Sequence, residues 1–194
     1  MRRVGDIAVA TVVVVLAGAN ATPFESRLAG RFVSQYGFTV DIPPGHVAYP
    51  SAAVGDHGVI ILLGDAGSRV GNMEFYGAGN VLFWRTVEEA AAARLEQLRE
   101  YAVGRSVALT SRVRTSVQGV RAVRLVVTYR DQATEVDLVS DHVVLLRHRS
   151  GGDRLGVPDY QYSFGVVATA KEYEVSKNLF EKTLATLRFS EPDE

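Results

Sequence analysis

Cysteine is absent from this chain, and that absence removes several kinds of chemistry together. No disulfide can brace the fold, no lipid can be attached through a lipobox cysteine, and there is no thiol for catalysis or for a cysteine-based zinc or iron–sulfur site. An excess of charge of one sign is also lacking. The 21 Lys and Arg against 22 Asp and Glu leave a net charge of -1, so no strong field points to nucleic acid or an anionic membrane surface. No apolar run is long enough to span a bilayer: the longest, residues 7–17, is well short of the ~20 residues a spanning helix needs. Nucleotide and nucleophile motifs are missing too. In Gly67-Ser68-Arg69-Val70-Gly71 the serine directly follows glycine, unlike Gly-x-Ser-x-Gly. Gly77-Ala78-Gly79 lacks the third glycine of a dinucleotide fingerprint, and no Gly-Lys-Ser/Thr marks a phosphate-binding loop. Both glycine pairs read as loops.

What is present begins at the N-terminus. Arg2 and Arg3 precede the apolar run, and Ala19-Asn20-Ala21 follows it, which is the layout of a secretory signal peptide cleaved after Ala21. Gly5 and Asp6 stand where twin-arginine export would need apolar residues, so the general secretory route is expected. Cleavage would remove Arg2, Arg3 and Asp6, taking the net charge to about -2, and would leave 173 residues. One domain of that size buries roughly 70% of its unfolded surface. The expected organisation is a signal peptide over 1–21, a short leader over 22–30, one domain over 31–190 and a tail over 191–194.

Within the domain, Phe38, Val40 and Ile42 alternate and stop at Pro43-Pro44-Gly45, which predicts a hairpin turning near Gly37. Short strands are expected over 46–49 and 59–63, and a loop over 64–71. Thr86-Val87-Glu88-Glu89 is a capping box. It opens a helix over 86–102 with Val87, Ala91, Leu95, Leu98 and Ala102 on one stripe, and Gly104 is read as its stop. Strands follow over 135–140, 143–148 and 160–169. A second box, Thr169-Ala170-Lys171-Glu172, opens a helix over 171–187 whose stripe is Val175, Leu179, Phe180, Leu184 and Leu187. Together these predict an α+β fold: a single domain with a largely antiparallel sheet and helices packed on its faces.

Residues 106–130 alternate with period two on either side of Gln118-Gly119. A two-residue loop there would set Val113 against Arg124 and Arg112 against Leu125. A three-residue loop, 118–120, would pair Val113 with Leu125 and Leu109 with Tyr129, uniting the apolar positions on one face. That register is expected, and it places Arg114 opposite Arg124 with Arg112 two residues along. Like charges facing each other destabilise a sheet. Either an acidic residue on a covering helix, such as Glu96 or Glu100, compensates them, or an anionic ligand or partner does.

The chain resembles the PsbP-like superfamily in three pieces: Tyr36-Gly37-Phe38-Thr39-Val40-Asp41-Ile42-Pro43-Pro44-Gly45, the set of long strands after the first helix, and the ending from Tyr162-Ser163-Phe164 through Phe180-Glu181-Lys182-Thr183-Leu184 to Leu187-Arg188-Phe189-Ser190. His46-Val47 stands where members often carry Trp. The resemblance covers most of 31–190. It implies a sheet with helices on both faces, an α/β/α sandwich, and a binding or accessory role, and it carries no catalytic residue over to this chain.

Among the four histidines, His142 and His148 are too far apart on one strand to share a metal, some 20 Å at ~3.3 Å per residue. Asp56-His57 between Gly55 and Gly58 is the alternative polar site, with His46 or Asp65 as companions, although this pattern also suits a polar turn. Tyr160, Tyr162 and Phe164 fit either a core face or a carbohydrate platform. The leading expectation is an exported non-catalytic accessory or binding protein of the periplasm or cell envelope. It would act through a sheet surface or loops 64–80 and 149–159, on an unknown protein or a small anionic ligand, with Arg112, Arg114 and Arg124 as contact residues. No catalytic residue, metal, cofactor, nucleic acid or stable membrane insertion is expected. The alternative is an exported hydrolase centred on Asp56 and His57.

Overall fold

A computed structural model of the chain describes residues 28–50, 58–63, 71–79, 84–148 and 160–190. The expected signal peptide and its cleavage site, Asp56, His57, Asp65, the loops over 64–70 and 149–159 and the tail all lie outside these residues. Among the described residues ten strands and two helices follow one another as β1 (Arg31–Ser34), β2 (Phe38–Asp41), β3 (Ala48–Pro50), β4 (Gly58–Leu62), β5 (Asn72–Gly79), α1 (Val87–Tyr101), β6 (Ala102–Val117), β7 (Val120–Asp131), β8 (Asp137–Arg147), β9 (Tyr160–Thr169), α2 (Tyr173–Ala185) and β10 (Arg188–Phe189). Every pairing is antiparallel. The main sheet runs β3-β4-β5-β9-β8-β7-β6, and a second runs β1-β2-β10. This is the expected α+β architecture.

The two faces of the main sheet carry different cores. On one, Phe75, Tyr162 and Phe164 meet Phe38 of the small sheet and Phe180 of α2, all fully buried. The aromatic run of β9 is therefore core. On the other face α1 lays Val87, Ala90, Ala91 and Leu98 over Val123, Leu125, Val127 and Val144. The capping box holds: the Thr86 hydroxyl accepts from the Glu89 amide while the Glu89 carboxylate accepts from the Thr86 amide.

Several sequence expectations change. Residues 135–140 and 143–148 do not form two strands; β8 is continuous across Ser140-Asp141-His142, which are buried. Gly77 and Gly79 lie within β5 rather than a loop, where the rings of Tyr162, Phe38 and Tyr36 occupy the space a side chain would need. Gly104 does not end α1. The chain passes straight into β6 at Ala102, and Gly104 and Arg105, both at positive φ, form an irregularity in that strand before Val107. Val175 is 78% exposed and leaves the stripe of α2 to Phe180 and its neighbours. The second capping box closes a turn at 169–172 just before α2 starts at Tyr173. Leu28, within the expected leader, bonds to Ala48.

The β6–β7 hairpin has the two-residue loop. Val117 pairs with Val120, Val113 with Arg124, and Arg112 with Leu125. Gln118 and Gly119 both adopt positive φ, 49° and 80°, the type I′ geometry whose twist matches that of paired strands. The apolar positions could not enforce the other register, because β6 is the sheet's outer strand and leaves Leu109 and Val113 exposed. A bulge at Thr110 shifts the pairing by one, so Leu109 faces Val127 and Val107 faces Tyr129.

Candidate functional site

Side chains alternate between faces along a strand, so the triplet Ser140-Asp141-His142 sends Ser140 and His142 beneath α1 and Asp141 toward α2. Each direction meets an arginine. On the α1 side Arg94, itself buried, brings one guanidinium nitrogen to 3.2 Å from Nε2 and 3.5 Å from Nδ1 of His142, and the same nitrogen donates to Glu74 at 3.3 Å. Its other terminal nitrogen donates to Gln97. Beneath His142 lies Gly165, its cross-strand partner on β9. Around this centre the hydroxyls of Ser140 and Ser163, the Asn72 side-chain oxygen Oδ1 and Arg94 Nε are buried without a hydrogen-bond partner among the described residues.

Burial, and then the Arg94 charge, push the His142 imidazole well below its ordinary range. The ring is therefore neutral at physiological pH and does not act as a proton shuttle there. This has a measurable consequence. The unfolded chain takes up a proton near pH 6.5 that the folded chain refuses, so the contribution of neutral His142 is fully present above about pH 6.5. As pH falls below that value toward the folded pKa, stability is lost at up to about 1.4 kcal/mol per pH unit. Urea unfolding of wild type and His142→Asn should show a stability difference that is flat above about pH 7 and shifts against wild type below about pH 6. A difference independent of pH would contradict the neutral, buried imidazole.

On the α2 side Arg124 grips Asp141 with two bonds of 2.7 Å, Nε to Oδ1 and Nη2 to Oδ2. Tyr173 of α2 donates to the same carboxylate at 2.8 Å, and Glu181 pairs with the remaining arginine nitrogen. Asp141 is fully buried. The bond to Asp141 raises the Arg124 pKa further, while burial and then Asp141 raise that of Tyr173.

The third group lies at the hairpin end. Arg112 donates to the Glu88 carbonyl at 3.2 Å and Arg114 to the Glu88 carboxylate at 3.1 Å. A backbone hydrogen bond, aided by the charges of Arg114 and Arg121, holds the Glu88 carboxyl below its ordinary range. Arg114, Thr115, Ser116 and Arg121 line an open hollow of about 490 Å³.

The two-residue register places Arg114 and Arg124 on opposite faces of the sheet. They do not form the expected pair. Arg112 and Arg114 stay together beside α1, Arg121 joins them, and Arg124 is enclosed by carboxylates across the sheet. The compensating acids are Glu88, Asp141 and Glu181, not Glu96 or Glu100. Of the alternative site, Asp56 and His57 lie outside the described residues; His46 faces the Pro44 carbonyl.

Sequence reasoning missed the Arg94–His142–Glu74 centre, although one signal was available. Arg94 stands three residues after Ala91 and four before Leu98, on the buried stripe of α1.

No family model matches the sequence, and no curated protein matches it. Similarity appears in solved structures. Cyanobacterial PsbP (CyanoP) of Synechocystis sp. PCC 6803 superposes with a TM-score of 0.53 at 12% identity, over 90% of this chain and 99% of that one. A protein of unknown function from Pseudomonas aeruginosa, PA94, gives 0.51 at 14% identity, over 81% and 99%. LpqN of Mycobacterium tuberculosis, described as involved in cell envelope biogenesis, gives 0.47 at 9%, over 85% and 90%. The chain has a PsbP-like fold, and at such identities the likeness concerns the fold alone.

Proposed function

We propose that this chain is an exported, non-catalytic binding or accessory protein of the cell envelope that holds an acidic partner through Arg112, Arg114 and Arg121 at the β6–β7 hairpin. The observation that carries this reading is the charge imbalance there. Three arginines share one face, two of them, Arg114 and Arg121, line the open hollow, and Glu88 is the carboxylate they meet among the described residues. The other polar centres are turned inward. Arg124 is occupied by Asp141 and Glu181, and His142 is sealed beneath α1. Export rests on the expected signal peptide, with its short apolar run and Ala-Asn-Ala ending.

The test uses fluorescently labelled poly-L-glutamate as probe. Wild type should bind it, and binding should weaken as salt rises from about 0.1 to 1 M, where the screening length falls from about 10 to 3 Å. Arg114→Glu/Arg121→Glu should lose binding with its unfolding midpoint little changed, whereas Arg130→Glu should bind as wild type does. Absence of wild-type binding, or equal binding by the double variant, would refute the reading. Export is tested separately, by N-terminal sequencing of material from the periplasmic or culture fraction. The expected first residue is Thr22, and intact Met1 on exported protein would contradict it.

A further inference from the structure

We infer that the acidic partner is an extended polypeptide segment, added to the free edge of β6 as an eighth strand of the main sheet. This deepens the proposed function and rests on its arginine site.

The backbone supplies the first part of the argument. In a two-residue hairpin the closing pair, Val117 with Val120, exchanges both backbone hydrogen bonds. Pairs alternate from there, so Ser116–Arg121, Arg114–Val123 and Arg112–Leu125 are non-hydrogen-bonded pairs. The amides and carbonyls of 112, 114 and 116 therefore point away from β7. No strand lies beyond β6 among the described residues, and residues 112–116 are exposed. The opposite edge of the sheet is different: β3 spans three residues, ends in Pro50 and is bonded to Leu28. Among the described residues one edge is closed and the other is open.

Side chains supply the second part. The residues with open backbone groups are Arg112, Arg114 and Ser116, and Arg121 stands on the same face. The opposite face of the edge presents Val113, 48% exposed. A complementary strand needs carboxylates at alternate positions and β-branched apolar residues between them, which is strand addition read by alternate side chains. A second copy of this chain fits poorly, because pairing β6 with itself brings arginine against arginine.

The probe is the acetylated, amidated octapeptide of alternating Glu and Val, compared with an otherwise identical peptide N-methylated at every Glu amide. Both carry the same charges, but only the first can complete an antiparallel ladder with its Glu residues facing the arginines. Wild type should bind the unmethylated peptide at least about tenfold more tightly, and hydrogen exchange at amides 112, 114 and 116 should slow in the complex while 115 and 117 stay unchanged. Ser116→Pro keeps every arginine and removes an outward amide, a place where an edge strand tolerates proline. It should bind the two peptides equally and weakly.

Equal binding of both peptides by wild type, lost in Arg114→Glu/Arg121→Glu, would overturn strand addition while leaving the charge site standing. Binding of neither peptide nor poly-L-glutamate would overturn the site itself. Concentration-dependent protection of the same amides without peptide would make a second copy the occupant and overturn the inference. If Ser116→Pro does not fold, the methylated peptide alone decides.

Discussion

Gly165→Ala should destabilise the protein by about 3 kcal/mol, the upper end of what overpacking a core usually costs. A methyl group built on Gly165 would stand 2.1 Å from His142 Nδ1 and 2.3 Å from Cε1. Neither side can yield easily. Gly165 sits in β9 between β5 and β8, paired to Glu74 on one side and His142 on the other. The ring is confined from above by Arg94. The imidazole thus fills the volume that glycine leaves, and the β9 residue type is dictated by a β8 side chain. A double-mutant cycle separates this contact from a general intolerance at Gly165. In a His142→Ala background the ring is gone, and adding the Gly165→Ala methyl should cost less than about 1 kcal/mol, a coupling of about 2 kcal/mol or more. Urea midpoints at neutral pH provide the measurement. Equal costs in both backgrounds would show that the ring does not rest on Gly165.

This contact also shows where sequence reading succeeds and where it stops. Signals that act within a few residues were legible. The Thr86–Glu89 box, the alternation of Tyr162, Phe164 and Val166, and the turn at Gly37 each report local geometry, and each appears in the fold. Ser140-Asp141-His142 misled because three polar residues in a row resemble a break between strands. They are compensated by Arg94, forty-eight residues before His142, and by Arg124, seventeen before Asp141. Such compensation is a property of the assembled sheet and leaves no periodic trace. The hairpin register failed for a related reason. Matching apolar with apolar presumes a buried strand, yet Leu109 and Val113 lie on an exposed outer strand, where little burial is at stake and the turn's own backbone preference decides.

The register error matters for the candidate site. It grouped Arg124 with Arg114, whereas the sheet separates them by face and by role. Arg114 has a side chain 80% exposed and one half-buried carboxylate for company, while Arg124 is largely enclosed and meets two. An arginine already bound to a fully buried carboxylate cannot turn to a ligand without stranding that charge, so Arg124 serves the fold and the binding proposed above falls to the hairpin arginines.

That division predicts opposite behaviours for the two groups, tested most sharply at Asp141. Asp141→Ala should cost about 3 kcal/mol or more, because it leaves Arg124 half-buried with only Glu181 beside it and removes the acceptor of the Tyr173 hydroxyl. The loss is a penalty for stranding a charge rather than the worth of the pair. Replacing both partners by apolar residues, Arg124→Met with Asp141→Leu, should therefore recover most of it and come within about 1–2 kcal/mol of wild type. Urea unfolding of the two proteins checks this, and an Asp141→Ala cost below about 1 kcal/mol would sink it. The doubly apolar variant then separates structure from recognition. With Arg112, Arg114 and Arg121 untouched on the far face of the sheet, it should bind the Glu-Val peptide with wild-type affinity and salt dependence. A loss of binding there, in a protein that still unfolds cooperatively, would return Arg124 to the binding surface and refute the separation of the two faces.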